Sequence, residues 1–412
     1  MKKQTEVRDD NRIAVIPEYG RQRLLNYAES FRDLADLFEQ DEDYDQDNKQ
    51  EIDDRQDYLW KRKLQENQEL MAEHLKEMAH IMAQVAKETC LYHPMGERRF
   101  RQMSKLLRES GIQLRNFFKL EHEDGHMEIS LTMRTAAAKY KKIREREHIS
   151  VEDVAEFISA VVNTRLRAVK SAPLYLTAEW NTYFFLEEPK FHLLTGVAKA
   201  VKETEKVSGD NYSFYEMDNG RTIAILSDGM GSGDKACSES ERVIELMERL
   251  LEAGFGKEAA VQMINGALEA SGKEENVSTL DMCDINLYTG ECEFIKLGAA
   301  CTYIKRGQLV DRLSAQSFPL GVFGQVETEI FYRSLISGDY IIMLSDGVLD
   351  ALSQGIGEEM LPEVIGKMDY DNPNEIANQI LAYSLKQSRG QIRDDMTVLV
   401  AGIWEQGSDC LS

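Results

Sequence analysis

Several features that would narrow the function are scarce in this sequence. Its 412 residues include only six cysteines and seven prolines. The cysteines form no CxxC pair and no dense framework, so the sequence predicts neither a disulfide-stapled domain nor a typical zinc site and favours a reduced, cytoplasmic compartment. The longest apolar runs, 340–344 and 397–404, are much shorter than the ~20 residues of a membrane-spanning helix. The N-terminus is polar and lacks the apolar core of a signal peptide.

Positive charge is also in short supply. The chain has 49 Lys and Arg residues against 72 Asp and Glu residues, which gives a formal net charge of −23. A surface this acidic repels the phosphate backbone of nucleic acids, and the sequence therefore predicts no nucleic-acid partner. Carboxylates are also the ligands that hard divalent cations prefer. The composition thus raises the question of which acids bind metal and which belong to a solvated surface.

The first half of the chain has the composition of helices. Up to about residue 175 it is rich in Glu, Lys, Gln, Leu, Met and Arg and has few glycines. Apolar residues recur at helical spacing in several stretches, and one stretch alternates as a strand does. The predicted helices are 24–38, 64–85, 97–118 and 150–168, and the strand-like segment is 126–134. Residues 1–178 are therefore predicted to form a mainly α-helical regulatory and oligomerisation region.

The amphipathic helices of this region need a partner for their apolar faces. Helices 24–38 and 64–85 could pack against each other, against a second copy of the chain or against the second half of the chain. We expect a homo-oligomer joined through the helical region.

The second half of the chain reads differently, as short strands with helices grouped between them. The predicted strands are 182–186, 193–201, 222–226, 282–287, 293–297, 302–304, 330–333, 340–344 and 396–401, and the predicted helices are 238–251, 257–270 and 374–384. Runs of strands with grouped helices are typical of an α+β domain. Residues 179–412 are therefore predicted to form two packed sheets with helices outside them.

Four segments of the second half place an aspartate where a predicted strand begins or ends. They are SGDN at 208–211, SDGMGSG at 227–233, SDG at 345–347 and RDDMT at 393–397. An aspartate that leaves a central strand is held in a fixed direction, and a following glycine lets a backbone carbonyl approach a cation. Four such carboxylates would repel one another unless divalent ions neutralised them. Oxygen ligands of this kind suit Mg²⁺ or Mn²⁺ rather than zinc.

Each Asp-Gly pair by itself is typical of a simple turn. The order of all four segments together resembles the metal-dependent protein phosphatases of the 2C type, over about residues 180–412. This resemblance implies a two-sheet antiparallel β-sandwich flanked by helices. It also implies a centre of two Mn²⁺ or Mg²⁺ ions at one end of the sandwich.

The resemblance implies specific metal ligands. Asp228 would bridge the two ions, and the carbonyl of Gly229 would bind one of them. Asp210, Asp346 and Asp394 would complete the site. The expected catalytic residues are these four aspartates, because two ions held roughly 3.5–4 Å apart lower the pKa of a shared water and orient the phosphate for in-line attack.

One ligand position is ambiguous. The sequence Arg393-Asp394-Asp395 stands where the family often has Asp-Asn. We expect Asp394 to be the ligand, with Asp395 as the second choice. Arg393 is expected either to bind phosphate or to pair with an acid.

Within this family, the chain is similar to the sporulation phosphatases of endospore-forming bacteria. That resemblance implies a phosphoserine on an anti-anti-sigma factor as the substrate, with a sporulation sigma factor activated as the result. It also implies contact with a cell-division protein at the polar septum. The chain would then be a cytoplasmic part of a longer protein that is held in the cell membrane.

Two alternatives stay open. The chain could be a stress-response phosphatase that acts on another anti-anti-sigma factor, or a phosphatase-like scaffold without catalysis. Domains that have lost catalysis usually lose ligand positions, whereas all four acidic segments are kept in this sequence. That retention favours an enzyme, whose activity the helical region is expected to switch.

Overall fold

The computed structural model describes most of the chain from residue 93 onward. The described ranges are 93–121, 125–135, 149–169, 172–217, 220–231, 233–252, 255–270, 277–322, 328–353, 358–369 and 371–406, together with residues 32, 75, 78 and 326. The helices predicted over 24–38 and 64–85 lie outside these residues apart from the isolated positions. The described chain divides into two compact units at Glu188 and Pro189.

The first unit is built on an antiparallel sheet with two helices. Its strands are β1 (His93–Pro94), β2 (Ile112–Glu121), β3 (Met127–Thr135), β4 (Leu166–Ala168) and β5 (Asn181–Glu187), in the order β1-β2-β3-β5-β4, and its helices are α1 (Glu97–Glu109) and α2 (Val151–Val162). Met103 and Leu107 of α1 and Ile158 of α2 pack in one core with Leu131 and Phe185 of the sheet. The composition predicted a mainly helical region here and did not predict this five-stranded sheet.

The sequence predicted where these helices begin better than where they end. Helix α2 starts as expected after Ser150, whose side chain accepts a hydrogen bond from the Glu152 amide. It stops at Asn163, which adopts a left-handed conformation with φ 60°, rather than near residue 168. The helix predicted to reach residue 118 was wrong beyond Glu109, because Gly111 turns with φ 80° and the chain then enters strand β2.

Strand β5 is also placed differently from the expectation. The sequence predicted a strand at 182–186 as the first of the catalytic half, and the strand itself is confirmed. It pairs with β3 and β4, however, and so belongs to the first unit. The functional division between residues 1–178 and 179–412 stays a prediction.

The second unit contains the two packed antiparallel sheets that the sequence predicted. One sheet has the order β13-β10-β9-β8-β7 and the other β12-β11-β14-β15-β6. The strands are β6 (Phe191–Ala200), β7 (Asp210–Glu216), β8 (Arg221–Asp228), β9 (Leu280–Asn286), β10 (Glu291–Leu297), β11 (Thr302–Arg306), β12 (Leu309–Leu313), β13 (Glu329–Ser334), β14 (Asp339–Leu344) and β15 (Met396–Glu405). Leu226, Cys283 and Phe294 of the first sheet meet Ile341 and Leu399 of the second in a shared core.

Helices cover the outer faces of this sandwich. They are α3 (Gly233–Glu252), α4 (Lys257–Ala270), α5 (Asp346–Ser353), α6 (Leu361–Gly366) and α7 (Pro373–Gln387). Helix α3 lies against β7 and β8 and contacts α4, whereas α7 lies against β6 and β15. In the part of the chain that the structure describes, no helix is both long and apolar enough to cross a membrane.

The strand ends of the second unit bring its acidic segments to one end of the sandwich. Strand β7 begins at Asp210 and β8 ends at Asp228, and these two residues face each other across the ladder. In the other sheet, β14 ends at Leu344, just before Asp346, and β15 begins just after Asp395. The two sheets therefore each contribute a pair of segments.

Candidate metal centre

Asp210 is the most deeply buried carboxylate of the cluster. Its side chain has no exposed surface, and its Oδ2 accepts a hydrogen bond of 2.6 Å from the Thr397 hydroxyl on the other sheet. Its carbonyl oxygen accepts a hydrogen bond from Lys199. Oδ1 is buried and has no hydrogen-bond partner among the described residues. This oxygen is therefore available to a cation.

The turn after Asp228 is held by side chains of the neighbouring segment. The Asp228 amide donates to the Thr279 hydroxyl at 2.9 Å, and the Asp228 carbonyl accepts from the Ser278 hydroxyl at 2.9 Å and from the Thr279 amide at 2.8 Å. A Cβ at Gly229 would lie 2.1 Å from the carbonyl oxygen of Ala236, so only glycine fits between the turn and helix α3. The Asp-Gly pair is thus fixed by packing as well as by turn chemistry.

The second Asp-Gly pair, at Asp346, has a similar constraint. Asp346 opens helix α5 directly after strand β14. A Cβ at Gly347 would lie 2.1 Å from the carbonyl oxygen of Asp395. The start of α5 therefore lies so close to the start of β15 that a side chain at position 347 would clash, and this approach brings Asp346 next to the RDDMT segment.

The structure separates the roles of Asp394 and Asp395. Asp395 is buried, and its two carboxylate oxygens accept hydrogen bonds from the amides of Lys202 at 2.9 Å and Gly209 at 2.7 Å. The Asp394 side chain is 48% exposed and lies 3.8 Å from the ammonium group of Lys202. Asp395 therefore anchors the loop that leads to Asp210. Asp394 Oδ1 accepts a hydrogen bond of 3.0 Å from the Asp395 amide, and its half-exposed carboxylate remains accessible to a cation from solvent. The geometry favours the first of the two predicted choices.

The carboxylates of the cluster affect the pKa of Asp228, which lies at its centre. Burial first, and then the charges of Asp210, Asp346, Asp394 and Asp395, together raise the pKa of Asp228 to about 9. The predicted acids are therefore close enough to influence one another. A bound divalent cation would relieve the repulsion by displacing the proton.

Two further pKa values are raised in the cluster. Burial raises the pKa of Asp210 to about 6, although the hydrogen bond from Thr397 opposes the shift. Burial and then the charge of Asp394 raise the pKa of Asp346 above its usual range. A cluster of carboxyl groups with raised pKa values is typical of functional sites.

The donor set fits a hard divalent cation. It consists of carboxylate oxygens, one of which, Asp210 Oδ1, is buried and has no hydrogen-bond partner among the described residues. Among the described residues, no three His, Cys, Asp or Glu side chains are already gathered into a group that could hold a metal ion. The arrangement is a convergence of carboxylates rather than a finished cage.

Sequence reasoning missed the residues that support the acids. Ser278 and Thr279 lie in a stretch without any motif. They support Asp228 although they are about 50 residues away from it along the chain. Thr397 was part of the RDDMT segment, but nothing in the sequence indicated that it bonds Asp210. Arg393 donates to Gln391 rather than to an acid.

Comparison with known proteins agrees with this geometry. The family model described as stage II sporulation protein E matches residues 218–404. The solved phosphatase domain of stage II sporulation protein E from Bacillus subtilis is 31% identical, and the alignment covers 98% of that domain and 55% of this chain with a TM-score of 0.46. The chain belongs to the stage II sporulation protein E family.

A larger structure of the same Bacillus subtilis protein extends the match. It contains the 2C-type phosphatase domain and a fragment of the regulatory domain, and it is 28% identical with a TM-score of 0.56 over 84% of this chain and 98% of that one. The second unit of this family member is thus a 2C-type serine/threonine phosphatase domain, and the predicted fold class is confirmed.

The chain spans less than two thirds of the length of the curated relatives that it matches. The full Bacillus subtilis stage II sporulation protein E is 28% identical over 344 residues, which are 83% of this chain and 40% of that protein. The phosphoserine phosphatase RsbU of the same organism is 23% identical over 200 residues, which are 48% of this chain and 59% of RsbU.

The separation of Asp394 from Asp395 leads to opposite expectations for two variants. We expect Asp394→Asn to weaken Mn²⁺ binding by about tenfold or more while leaving the melting temperature nearly unchanged, because its side chain is half exposed. Asp395→Ala should lower the free energy of unfolding by about 1–3 kcal/mol, because two buried amides lose their acceptor. Metal titration and thermal melting of both variants measure the difference. The reverse pattern would make Asp395 the ligand.

Proposed function

We propose that this chain is a divalent-metal-dependent phosphatase that hydrolyses phosphoserine on an anti-anti-sigma factor and thereby activates a sporulation sigma factor. The observation that carries the proposal is the convergence of strand-end aspartates from both sheets around Asp228, whose pKa their charges and burial raise to about 9. Bound cations would neutralise these carboxylates, and they could reach the site from solvent at Asp394, whose side chain is 48% exposed.

The proposed ligands are the residues that the sequence predicted. Asp210, Asp228, Asp346 and Asp394, with the carbonyl of Gly229, would hold two Mn²⁺ or Mg²⁺ ions. When bound, such ions supply a water of lowered pKa and neutralise charge on the phosphate oxygens. Thr397 orients Asp210 through its 2.6 Å hydrogen bond, and Asp395 fixes the loop before Asp210.

The substrate proposal rests on the family and on the position of the acidic centre. A phosphoprotein is too large to enter a closed pocket, and the acidic centre lies at the end of the sandwich rather than inside it. Membership of the sporulation family supports an anti-anti-sigma factor as the phosphoprotein. The similarity to RsbU, a phosphoserine phosphatase, favours a stress-response substrate as the second candidate.

Four further properties belong to the same proposal. Residues 1–178 would switch the activity and join two copies of the chain. The longer protein would be anchored in the cell membrane at the polar septum and contact a cell-division protein there. The relatives extend beyond the matched region, which supports additional segments in proteins of this family.

A panel of substrates tests the proposal. The full chain is incubated with phosphoserine forms of sporulation and stress-response anti-anti-sigma factors, in Mn²⁺, in Mg²⁺ and in EDTA, and released phosphate is measured. We expect metal-dependent release that is fastest for the sporulation substrate. Faster release from the stress-response substrate would favour the second candidate. Specific binding of these proteins without metal-dependent release would indicate a scaffold.

A further inference from the structure

The turn at Asp228 and Gly229 is the first segment of a small three-segment ladder. Gly229 forms an antiparallel bridge with Ser278, and Ser278 forms another with Leu320. The Met230 amide also donates to the carbonyl of Val277 at 2.8 Å. The middle segment thus holds the turn from one side and depends on Leu320 on the other.

Ser278 occupies the centre of this ladder. It is 1% exposed, and its hydroxyl bonds the Asp228 carbonyl at 2.9 Å and the Ser227 hydroxyl at 2.9 Å. Its backbone is paired on both polar groups with Leu320, since the Leu320 amide donates to the Ser278 carbonyl at 2.9 Å and the Ser278 amide donates back at 3.3 Å. A displacement of Leu320 would therefore move the residue that directs the Asp228 carbonyl.

Helix α4 holds the outer segment of the ladder through Asn265, and Gln262 on the same helix holds Val326 farther along the chain. Asn265 has no exposed surface, and its Oδ1 accepts a hydrogen bond of 2.9 Å from the amide of Gly321, the residue after Leu320. One turn earlier, Gln262 donates to the carbonyl of Val326 at 2.8 Å. The start of the same helix is tied to the sheet, because Lys257 pairs with Asp284 at 2.7 Å. The helix is thus a fixed support for Leu320 and Gly321.

We propose that Asn265 is a positioning residue for the metal ligands Asp228 and Gly229, acting through Gly321, Leu320 and Ser278. The inference rests on the proposed metal site and adds to it a residue on a helix that carries none of the ligands. Burial of an asparagine side chain costs stability unless its polar atoms form hydrogen bonds. Asn265 is fully buried, and its Oδ1 accepts the hydrogen bond of the Gly321 amide, which directly follows Leu320 of the ladder. Supports of this kind set the direction of ligand oxygens, and a small error in direction lowers metal affinity.

The test measures Mn²⁺ binding by calorimetry on the metal-free full chain, together with hydrogen exchange of the Met230 and Thr279 amides. Asn265→Ala is expected to raise the Mn²⁺ dissociation constant about tenfold and to speed exchange of both amides. Asn265→Asp keeps an acceptor for the Gly321 amide and should restore most of the affinity. Gln262→Ala, an exposed change that is expected to fold, should shift the constant less but in the same direction. At saturating Mn²⁺, the turnover of these variants should return toward the wild-type value.

Asn286→Ala is the matched control. Asn286 is also a buried asparagine whose Oδ1 accepts backbone amides, those of Tyr288 and Thr289, but it lies at the opposite end of β9. It should lower stability without changing the Mn²⁺ dissociation constant. Wild-type affinity in both Asn265→Ala and Gln262→Ala, or equal losses in Asn265→Ala and Asn286→Ala, would overturn the inference alone. Mn²⁺ binding that Asp228→Asn does not weaken would overturn the metal site and the inference together.

Discussion

Asp228→Asn is expected to abolish phosphatase activity and at the same time to raise the melting temperature of the metal-free protein. The loss of activity should be about a thousandfold or more, because the variant removes the proposed bridging ligand and each 1.36 kcal/mol of lost transition-state stabilisation costs a factor of ten. The gain in stability follows from the raised pKa of about 9. Phosphate release and thermal melting in EDTA measure the two effects.

The sign of the stability effect depends on pH. At pH 7 the folded chain keeps a proton on Asp228, whereas the unfolded chain, with the ordinary pKa of 3.8, has released it. This difference destabilises the wild-type fold increasingly as pH rises from 3.8 toward 9. Asparagine carries no such proton, so the variant should be roughly 2–4 kcal/mol more stable at pH 7 in EDTA, and the gap should disappear below pH 3.8.

Two comparisons make this expectation specific. Mn²⁺ should stabilise the wild type and not the variant, by about 2.7 kcal/mol at a hundred times the dissociation constant. Asp311→Asn changes an exposed aspartate that pairs with Arg333 and should alter neither activity nor stability by much. If Asp228→Asn melts below the wild type in EDTA at pH 7, the raised pKa of Asp228 does not destabilise the metal-free fold.

Lys296→Met should be among the most destabilising single changes in the second unit. Lys296 has no exposed surface, and its ammonium group lies 2.5 Å from Asp281 and 2.8 Å from the Thr302 hydroxyl. Asp281 is 1% exposed and faces Lys296 across the β9–β10 pair, whereas Thr302 belongs to the other sheet. Removal of the cation leaves a buried carboxylate without its counter-charge, and such a loss costs about 3–5 kcal/mol. Urea unfolding of the full chain at pH 7 measures it.

The double variant Asp281→Leu with Lys296→Met separates the cost of an unpaired charge from the worth of the pair. Replacement of both buried charges by apolar side chains is commonly neutral or stabilising. We therefore expect the double variant to recover most of the lost stability. Lys190→Met is the control, since Lys190 pairs with Glu405 at the surface and its loss should cost less than about 1 kcal/mol. A double variant as unstable as the single one would contradict this explanation.

Prediction from the sequence worked best where the signal is local. Apolar strands such as β14 and the helix Lys257–Ala270 were placed within a residue or two, because a buried run and a helical period are visible in the residues themselves. Strands β7 and β12 were missed. Strand β12 is mostly exposed, and β7 alternates aromatic with polar residues beside Asp210, so neither shows a long apolar run. Their strand conformation comes from pairing with β8 and β11.

The sequence by itself determined the acids and their local setting. An aspartate at a strand end is recognisable within a few residues, two of the four are followed by glycine, and the order of the four acidic segments was sufficient to identify the phosphatase family. Only the tertiary structure favours Asp394 over Asp395 as the proposed ligand, because the amides of Lys202 and Gly209 take up the carboxylate of Asp395. It alone connected Asn265 to the Asp228 turn, and it moved strand β5 into the first unit. The physical reason is the same in each case: hydrogen bonds between segments far apart in the chain leave no periodic trace in either segment.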